Sequence, residues 1–277
     1  MIQENLKNRL REIQNNSSAD SVEIKTYFSE ILSALEKGEI RTAEKTGESW
    51  VVNSWVKEAI MLGFKVGVLE DKSIHGLNFF DKDTLPLHKT TLESKIRIVP
   101  GGSTIRGGAY VAEGTILMPP CYVNIGAYID TGCMIDSHAL VGSCAQIGKN
   151  VHLSAASQVG GVLEPVGALP VIIEDNVFIG GNCGIYEGSI IKEKVVIGTG
   201  VILNASTPVF DNTTGEFIRK TNDQPLTIPK GAVVVAGSRP INSGKGKLKG
   251  IHLYCPVIIK YRDEKTNSSV TLEELLR

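Results

Sequence analysis

Aliphatic residues recur every six positions through the middle of this chain. Stepping by six from Val99 meets Ile105, Val111, Leu117, Val123, Ile129, Ile135, Val141, Ile147 and Leu153, and stepping from Ile173 meets Ile179, Ile185, Ile191, Ile197 and Leu203. Every one of these positions is Ile, Val or Leu. With such residues at roughly a quarter of the chain, ten consecutive matches in the first block have odds on the order of one in a million. Neither the period of a strand nor that of a helix produces this spacing.

The positions between follow the same beat. Four residues after each aliphatic stands Ser, Ala, Thr, Cys or Val, as at Ala109, Cys121, Ala127, Cys133, Ala145, Val177 and Cys183, where only a small group fits. Three residues after it, Gly or Asn dominates, as at Gly102, Gly108, Gly126, Gly132, Asn150, Asn176, Asn182 and Gly200. These two residues best tolerate φ > 0, so they mark a corner. Short strand, corner, short strand predicts a three-sided parallel β-helix, one coil taking three hexapeptides.

The repeat breaks near 160–172, beginning at Gly160-Gly161-Val162-Leu163-Glu164-Pro165, and again near 208–227. Both breaks are expected to be loops ejected from the helix, and such excursions often carry function. Register returns at Ile228 and Val234. Before the repeat, Ile2, Leu6, Leu10 and Ile13 keep helical spacing, Val22 to Leu35 carries a second helical stripe, and Asn53 or Ser54 caps a third helix from Trp55 to Leu62. This predicts a mainly helical segment 1–96, a β-helix 97–240 and a C-terminal β/α extension 241–277. The extension holds a flexible basic loop (243–250), a strand from Ile251 to Tyr261 and a closing helix near Leu272.

Composition narrows the class. Among 277 residues, 42% hydrophobic and 21% charged residues fit an ordinary globular chain, and a net charge of −1 gives no general attraction to nucleic acid. No basic start with an apolar core follows Met1, and no apolar run approaches bilayer length, so a cytoplasmic protein without membrane contact is expected. The five cysteines form no C-x-x-C pair and read as reduced thiols. Within the repeat only His138 and His152 are histidines, too few for a three-histidine metal site, and no metal is expected.

The segments Tyr122–Asp130, Val141–Ser154 and Gly160–Pro165, with Arg41–Lys45 before the repeat and Leu253–Lys260 after it, resemble the tetrahydrodipicolinate N-succinyltransferases, a hexapeptide-repeat acyltransferase family. The resemblance, not the period, implies a left-handed β-helix, since ordinary parallel crossovers are right-handed. It also implies a homotrimer that holds acyl-CoA in a groove between neighbouring prisms. The activity implied is transfer of a succinyl group from succinyl-CoA, as cosubstrate and not as a tightly bound cofactor, to the amine of tetrahydrodipicolinate in its open form, L-2-amino-6-oxopimelate. That reaction belongs to the diaminopimelate route to lysine.

On the same resemblance, Asp136 matches the essential carboxylate that holds or deprotonates the attacking amine. Arg97 matches the substrate-binding arginine, and a guanidinium suits bidentate capture of a carboxylate. His152 and Ser154 fall in a matched segment and are candidate substrate contacts. For CoA, Gly200 and Asn204 are candidates along the pantetheine, and Arg239, Lys245, Lys247 and Lys249 for the phosphates. One departure stands out: Gly184 takes the position where some relatives carry a glutamate implicated in catalysis, and Glu187, three residues on, faces elsewhere. Alternative readings are an acetyl-CoA-dependent N-acetyltransferase on the same scaffold and a non-catalytic β-helix.

Overall fold

The computed structural model describes residues 2–16, 19–222 and 224–263. The hexapeptides form three parallel sheets around a triangular core. One face stacks Tyr110–Val111, Tyr128–Ile129, Gln146–Ile147, Ile172–Ile173, Ile190–Ile191 and Thr227–Ile228. A second, the long face, runs from Arg97–Ile98 through Ile116–Leu117, Met134–Ile135, His152–Leu153, Phe178–Ile179 and Val196–Ile197 to Ala232–Val235. The third stacks Thr104–Ile105, Tyr122–Val123, Leu140–Val141, Gln158–Val159, Gly184–Ile185 and Ile202–Leu203. The fold is a left-handed parallel β-helix.

In each two-residue strand the second residue points inward. Ile129, Ile135, Val141, Ile147 and Leu153 are all fully buried, together with the small residues Ala127, Cys133 and Ala145 at the pinched positions. Burial of each large aliphatic contributes about 2 kcal/mol. The corners adopt left-handed backbone at Gly132 (φ 70°) and Asn150 (φ 54°), as expected, and also at His138, Cys144, Ala156 and Lys194. Left-handed backbone costs a side-chain-bearing residue about 1 kcal/mol. At these corners the N–H donates to the coil before it: His138 to Pro120 O at 2.7 Å, Ala156 to Ser137 O at 2.8 Å and Lys194 to Asp175 O at 2.9 Å. Stacking overrides the residue's own preference.

Register departs from the hexapeptide count in three places. Ile98, not Val99, pairs with Leu117, so the first coil is one residue longer than the uninterrupted coils that follow. Gln146 pairs with Ile172, and the residues between Val159 and Val171 leave the prism as a strandless excursion. The break at 208–227 is not simply ejected. Val209–Asp211 pairs with Glu216–Ile218 as a hairpin and joins the long face through Phe210 and Val257.

The C-terminal strand expected at 251–261 divides at Cys255-Pro256, where proline has no N–H for a ladder. His252–Tyr254 makes a hairpin with Ser238–Pro240, and Val257–Tyr261 lies on the end of the long face with Ile258 fully buried over the core. The basic segment expected as a flexible loop contains a short helix, Gly244–Leu248, at the tip of that hairpin. The helix expected near Leu272 lies outside the described residues.

Three helices precede the prism: α1 (Ile2–Asn15), α2 (Ser21–Glu36), capped by the Asp20 side chain on Glu23 N–H, and α3 (Ser54–Val66). Asn53 does not cap α3 with its side chain, which donates to Arg41 O instead. The apolar stripes Leu6, Leu10, Phe28, Ile31, Trp55 and Ile60 share one core that reaches Ile125 and Cys144 on the prism. Two hairpins, Ala43–Thr46 with Ser49–Val52 and Leu69–Asp71 with Phe80–Lys82, complete this region.

Candidate active site

Asp136 follows the strand Met134–Ile135 at the corner between the long and third faces. Its N–H donates to Leu153 O at 2.9 Å, and its Oδ1 accepts from Ser137 N–H at 2.7 Å. The neighbouring coil brings His152 alongside, because Met134 and His152 share register. His152 Nε2 lies 3.8 Å from Asp136 Oδ2, with the imidazole buried edge-on to Phe178 and the carboxylate partly open to solvent. Ser154 occupies Asp136's position one coil later. Arg97 is exposed on the same long face, in the register column Arg97, Ile116, Met134, His152. Two strand spacings separate it from Met134, roughly 10 Å. Asp136, His152 and Ser154 are thus brought together, and Arg97 shares their face.

The proposed CoA contacts are more dispersed. Gly200 forms a corner of the long and third faces with φ 76°, two coils beyond Ser154. The Asn204 side chain is engaged locally, accepting from Ser206 N–H and from the Thr207 hydroxyl at 2.7 Å. Arg239 lies on the C-terminal hairpin, and Lys245, Lys247 and Lys249 are exposed on and beside its helical tip. That hairpin is fastened to the prism by Tyr254, whose hydroxyl accepts from Ile202 N–H at 2.7 Å on the last strand of the third face.

A cavity of about 980 Å³ lies elsewhere on the chain. The 160–171 excursion forms one wall through Gly160, Gly161 and Ala168, and Tyr186, Glu187 and Lys220 line the rest. It opens at the corner after Gly184–Ile185, at the far side of the third face from the corner that carries Asp136. None of the residues expected from the sequence to bind substrate or CoA lines it, although Glu187 and the break that begins at Gly160 do.

Tyr186 explains Gly184. A Cβ at Gly184 would fall 2.4 Å from the tyrosine ring, and one at Gly160 would fall 2.7 Å from it. The ring therefore lies flat across both glycines and fills the space a side chain at 184 would need. Glu187 occupies the next corner with φ 55° and accepts from Ala205 N–H at 2.8 Å. Tyr186 escaped the sequence reading because the hexapeptide pattern says nothing about outward positions.

A polar seam joins the helical region to the prism. Arg41 lies 3.6 Å over the Tyr128 ring and donates through Nε to Gln146 Oε1 at 2.9 Å. Thr42 donates to Cys144 O at 3.0 Å and accepts from Gln146 Nε2 at 2.9 Å. Burial would raise the Glu174 carboxyl, but hydrogen bonds from Trp50 and Lys45 and the charge of Lys192 hold it below the usual glutamate range. Burial also pushes the Cys144 thiol up to about 12, which leaves it inert. All five cysteines are buried and outside any disulfide. Among the described residues no cluster of three His, Cys, Asp or Glu side chains could hold a metal ion, and no helix is long and apolar enough to cross a membrane.

With this geometry in place, likeness to known proteins decides the family. Residues 2–66 match the model of the tetrahydrodipicolinate N-succinyltransferase N-terminal region, and residues 170–205 match the hexapeptide repeat of succinyl-transferase. A 2,3,4,5-tetrahydropyridine-2,6-dicarboxylate N-succinyltransferase of Legionella pneumophila is 45% identical over 100% of this chain and 96% of its own. The chain belongs to the tetrahydrodipicolinate N-succinyltransferase family. Similarly named enzymes of Paracoccus denitrificans and Pelagibacter ubique are 47% and 46% identical, over 92% and 90% of this chain and 90% and 89% of their own. In this family member the seam residues Arg41 and Thr42 lie inside the matched N-terminal region, and Tyr186 lies inside the matched repeat.

Proposed function

We propose that Asp136 is the proton acceptor of succinyl transfer at a site completed by a second copy of the chain. The enzyme moves the succinyl group of succinyl-CoA to the amine of L-2-amino-6-oxopimelate, the open form of tetrahydrodipicolinate. The amine nitrogen attacks the thioester carbonyl carbon. A C–N bond forms, the C–S bond breaks, and the sulfur leaves as CoA thiolate. The proton lost by nitrogen passes to Asp136 Oδ2 and on to the thiolate or solvent, and an imidazole at 3.8 Å stabilises the carboxylate during the transfer. Arg97 holds an acceptor carboxylate, and Ser154 contributes a hydroxyl beside Asp136.

The observation that carries this reading is the stacked pair Asp136 and His152, open to solvent through the carboxylate and sharing a face with Arg97. The acceptor enters the cavity beneath residues 160–171. Because that cavity and Asp136 lie on opposite sides of the third face, two copies must meet to bring them together. A homotrimer does so, and the half-buried outward side chains Met134, Phe178 and Val196 on the long face supply apolar surface for the contact. Gly200 and Asn204 flank the pantetheine, and Arg239, Lys245 and Lys247 meet the CoA phosphates. Five reduced cysteines suit a cytoplasmic enzyme.

Steady-state kinetics of Asp136→Ala test this assignment. The variant is expected to assemble as the parent does and to lose at least a hundredfold in kcat. Activity within threefold of the parent would remove Asp136 from the mechanism.

A further inference from the structure

Lys57 stands on α3 with its side chain fully buried. Its ammonium donates to the carbonyl oxygens of Val162 and Ala168, each at 2.6 Å. No ion pair satisfies it among the described residues, and neither carbonyl accepts a backbone hydrogen bond there. Both acceptors belong to the 160–171 excursion, and both residues line the cavity. Burying an ammonium without a counter-charge is costly, and an apolar residue of the same volume would pack here at lower cost if packing were its task. Burial accordingly pulls the Lys57 amine below the usual lysine range, with the nearby Cys144 acting weakly the other way.

The excursion contains no strand, and Gly160, Gly161 and Gly167 give it a pliant backbone. Its other anchors are the Val162 N–H on Ser143 O at 3.1 Å, Leu163 partly buried against the helical core, and Leu169 partly buried against Ala43, Ile172 and Ile190. A buried cation that gathers the carbonyls of Val162 and Ala168 ties two separated points of the loop to one atom, which non-directional apolar contacts do not.

We propose that Lys57 is a positioning residue: it clamps residues 160–171 in the shape that walls the cavity, and so couples the helical region to binding of the acceptor. The proposal rests on the reading that this cavity receives the acceptor. Lys57 touches no substrate and acts through the loop.

Lys57→Met and Lys57→Gln test it. Amide hydrogen exchange of the free enzyme is measured over residues 160–171, with α2 as the internal control, and steady-state kinetics are measured with the acceptor and succinyl-CoA varied in turn. In Lys57→Met, exchange in 160–171 is expected to speed up at least tenfold with α2 unchanged. The acceptor KM is expected to rise at least tenfold, with kcat within threefold and the KM for succinyl-CoA unmoved. Lys57→Gln, which keeps an N–H donor, is expected to shift the same quantities less and decides the matter if Lys57→Met does not fold. Unchanged exchange in 160–171 in a folded variant would overturn the clamp. Faster exchange with an unchanged acceptor KM would leave the clamp standing and overturn its coupling to the acceptor site.

Discussion

The Asp136 carboxylate and the His152 imidazole face each other at 3.8 Å from neighbouring coils, held in register by the pairing of Met134 with His152. The distance is too long for a direct hydrogen bond and short enough for the two groups to influence each other through a partly buried gap. His152→Gln is therefore expected to lower kcat by about tenfold to a hundredfold while Asp136→Ala costs more. Because the two act as a unit, the double variant should resemble Asp136→Ala alone. Fully additive losses in steady-state kinetics would show that they work independently.

Arg97 is exposed, so its removal has little to unpack. Arg97→Ala is expected to raise the acceptor KM by about tenfold or more while thermal stability changes by less than about 0.5 kcal/mol. A Tm fall of many degrees with an unchanged KM would mark it as structural.

Gly184→Glu meets the Tyr186 ring at 2.4 Å. Overpacking of this kind costs about 1–3 kcal/mol. Removing the ring in Gly184→Glu/Tyr186→Ala should recover part of that loss, which chemical denaturation of both variants measures. Equal stability of the two variants would mean that the ring moves aside freely.

The hexapeptide period made the prism legible because its core positions are set by geometry alone. Ile135 or Ile147 can only point inward, and both are fully buried. Register was less visible where backbone hydrogen bonding decides it, as in the pairing of Ile98 rather than Val99 with Leu117. The second break hid a hairpin because Val209–Asp211 pairs with Val257–Tyr261, a partner distant in sequence. At the site, Asp136, His152 and Ser154 were named on the family resemblance, and the register puts Ser154 in the column of Asp136 and His152 in that of Met134. Lys57 and Tyr186 were not: a lysine on an amphipathic helix gives no sign of burial, and an outward tyrosine gives no sign that two glycines make room for its ring.

Glu174 links the helical region to the prism through Trp50 and Lys45. Its carboxyl is held below its unfolded value, so its stabilisation is fully present above the ordinary glutamate pKa of about 4.3 and is lost as pH falls through the lower folded value. Urea midpoints measured from pH 6 to pH 3 should therefore fall more steeply for the parent than for Glu174→Gln, which is expected to be about 1–3 kcal/mol less stable at pH 7. Parallel profiles would contradict this role.

The most direct test of the account is CoA release by the purified protein with tetrahydrodipicolinate as acceptor, comparing succinyl-CoA with acetyl-CoA at equal concentration. The account predicts rapid thiol release with succinyl-CoA, dependent on the acceptor and abolished in Asp136→Ala, with little release from acetyl-CoA. Turnover with acetyl-CoA alone, or none with either donor, would contradict it.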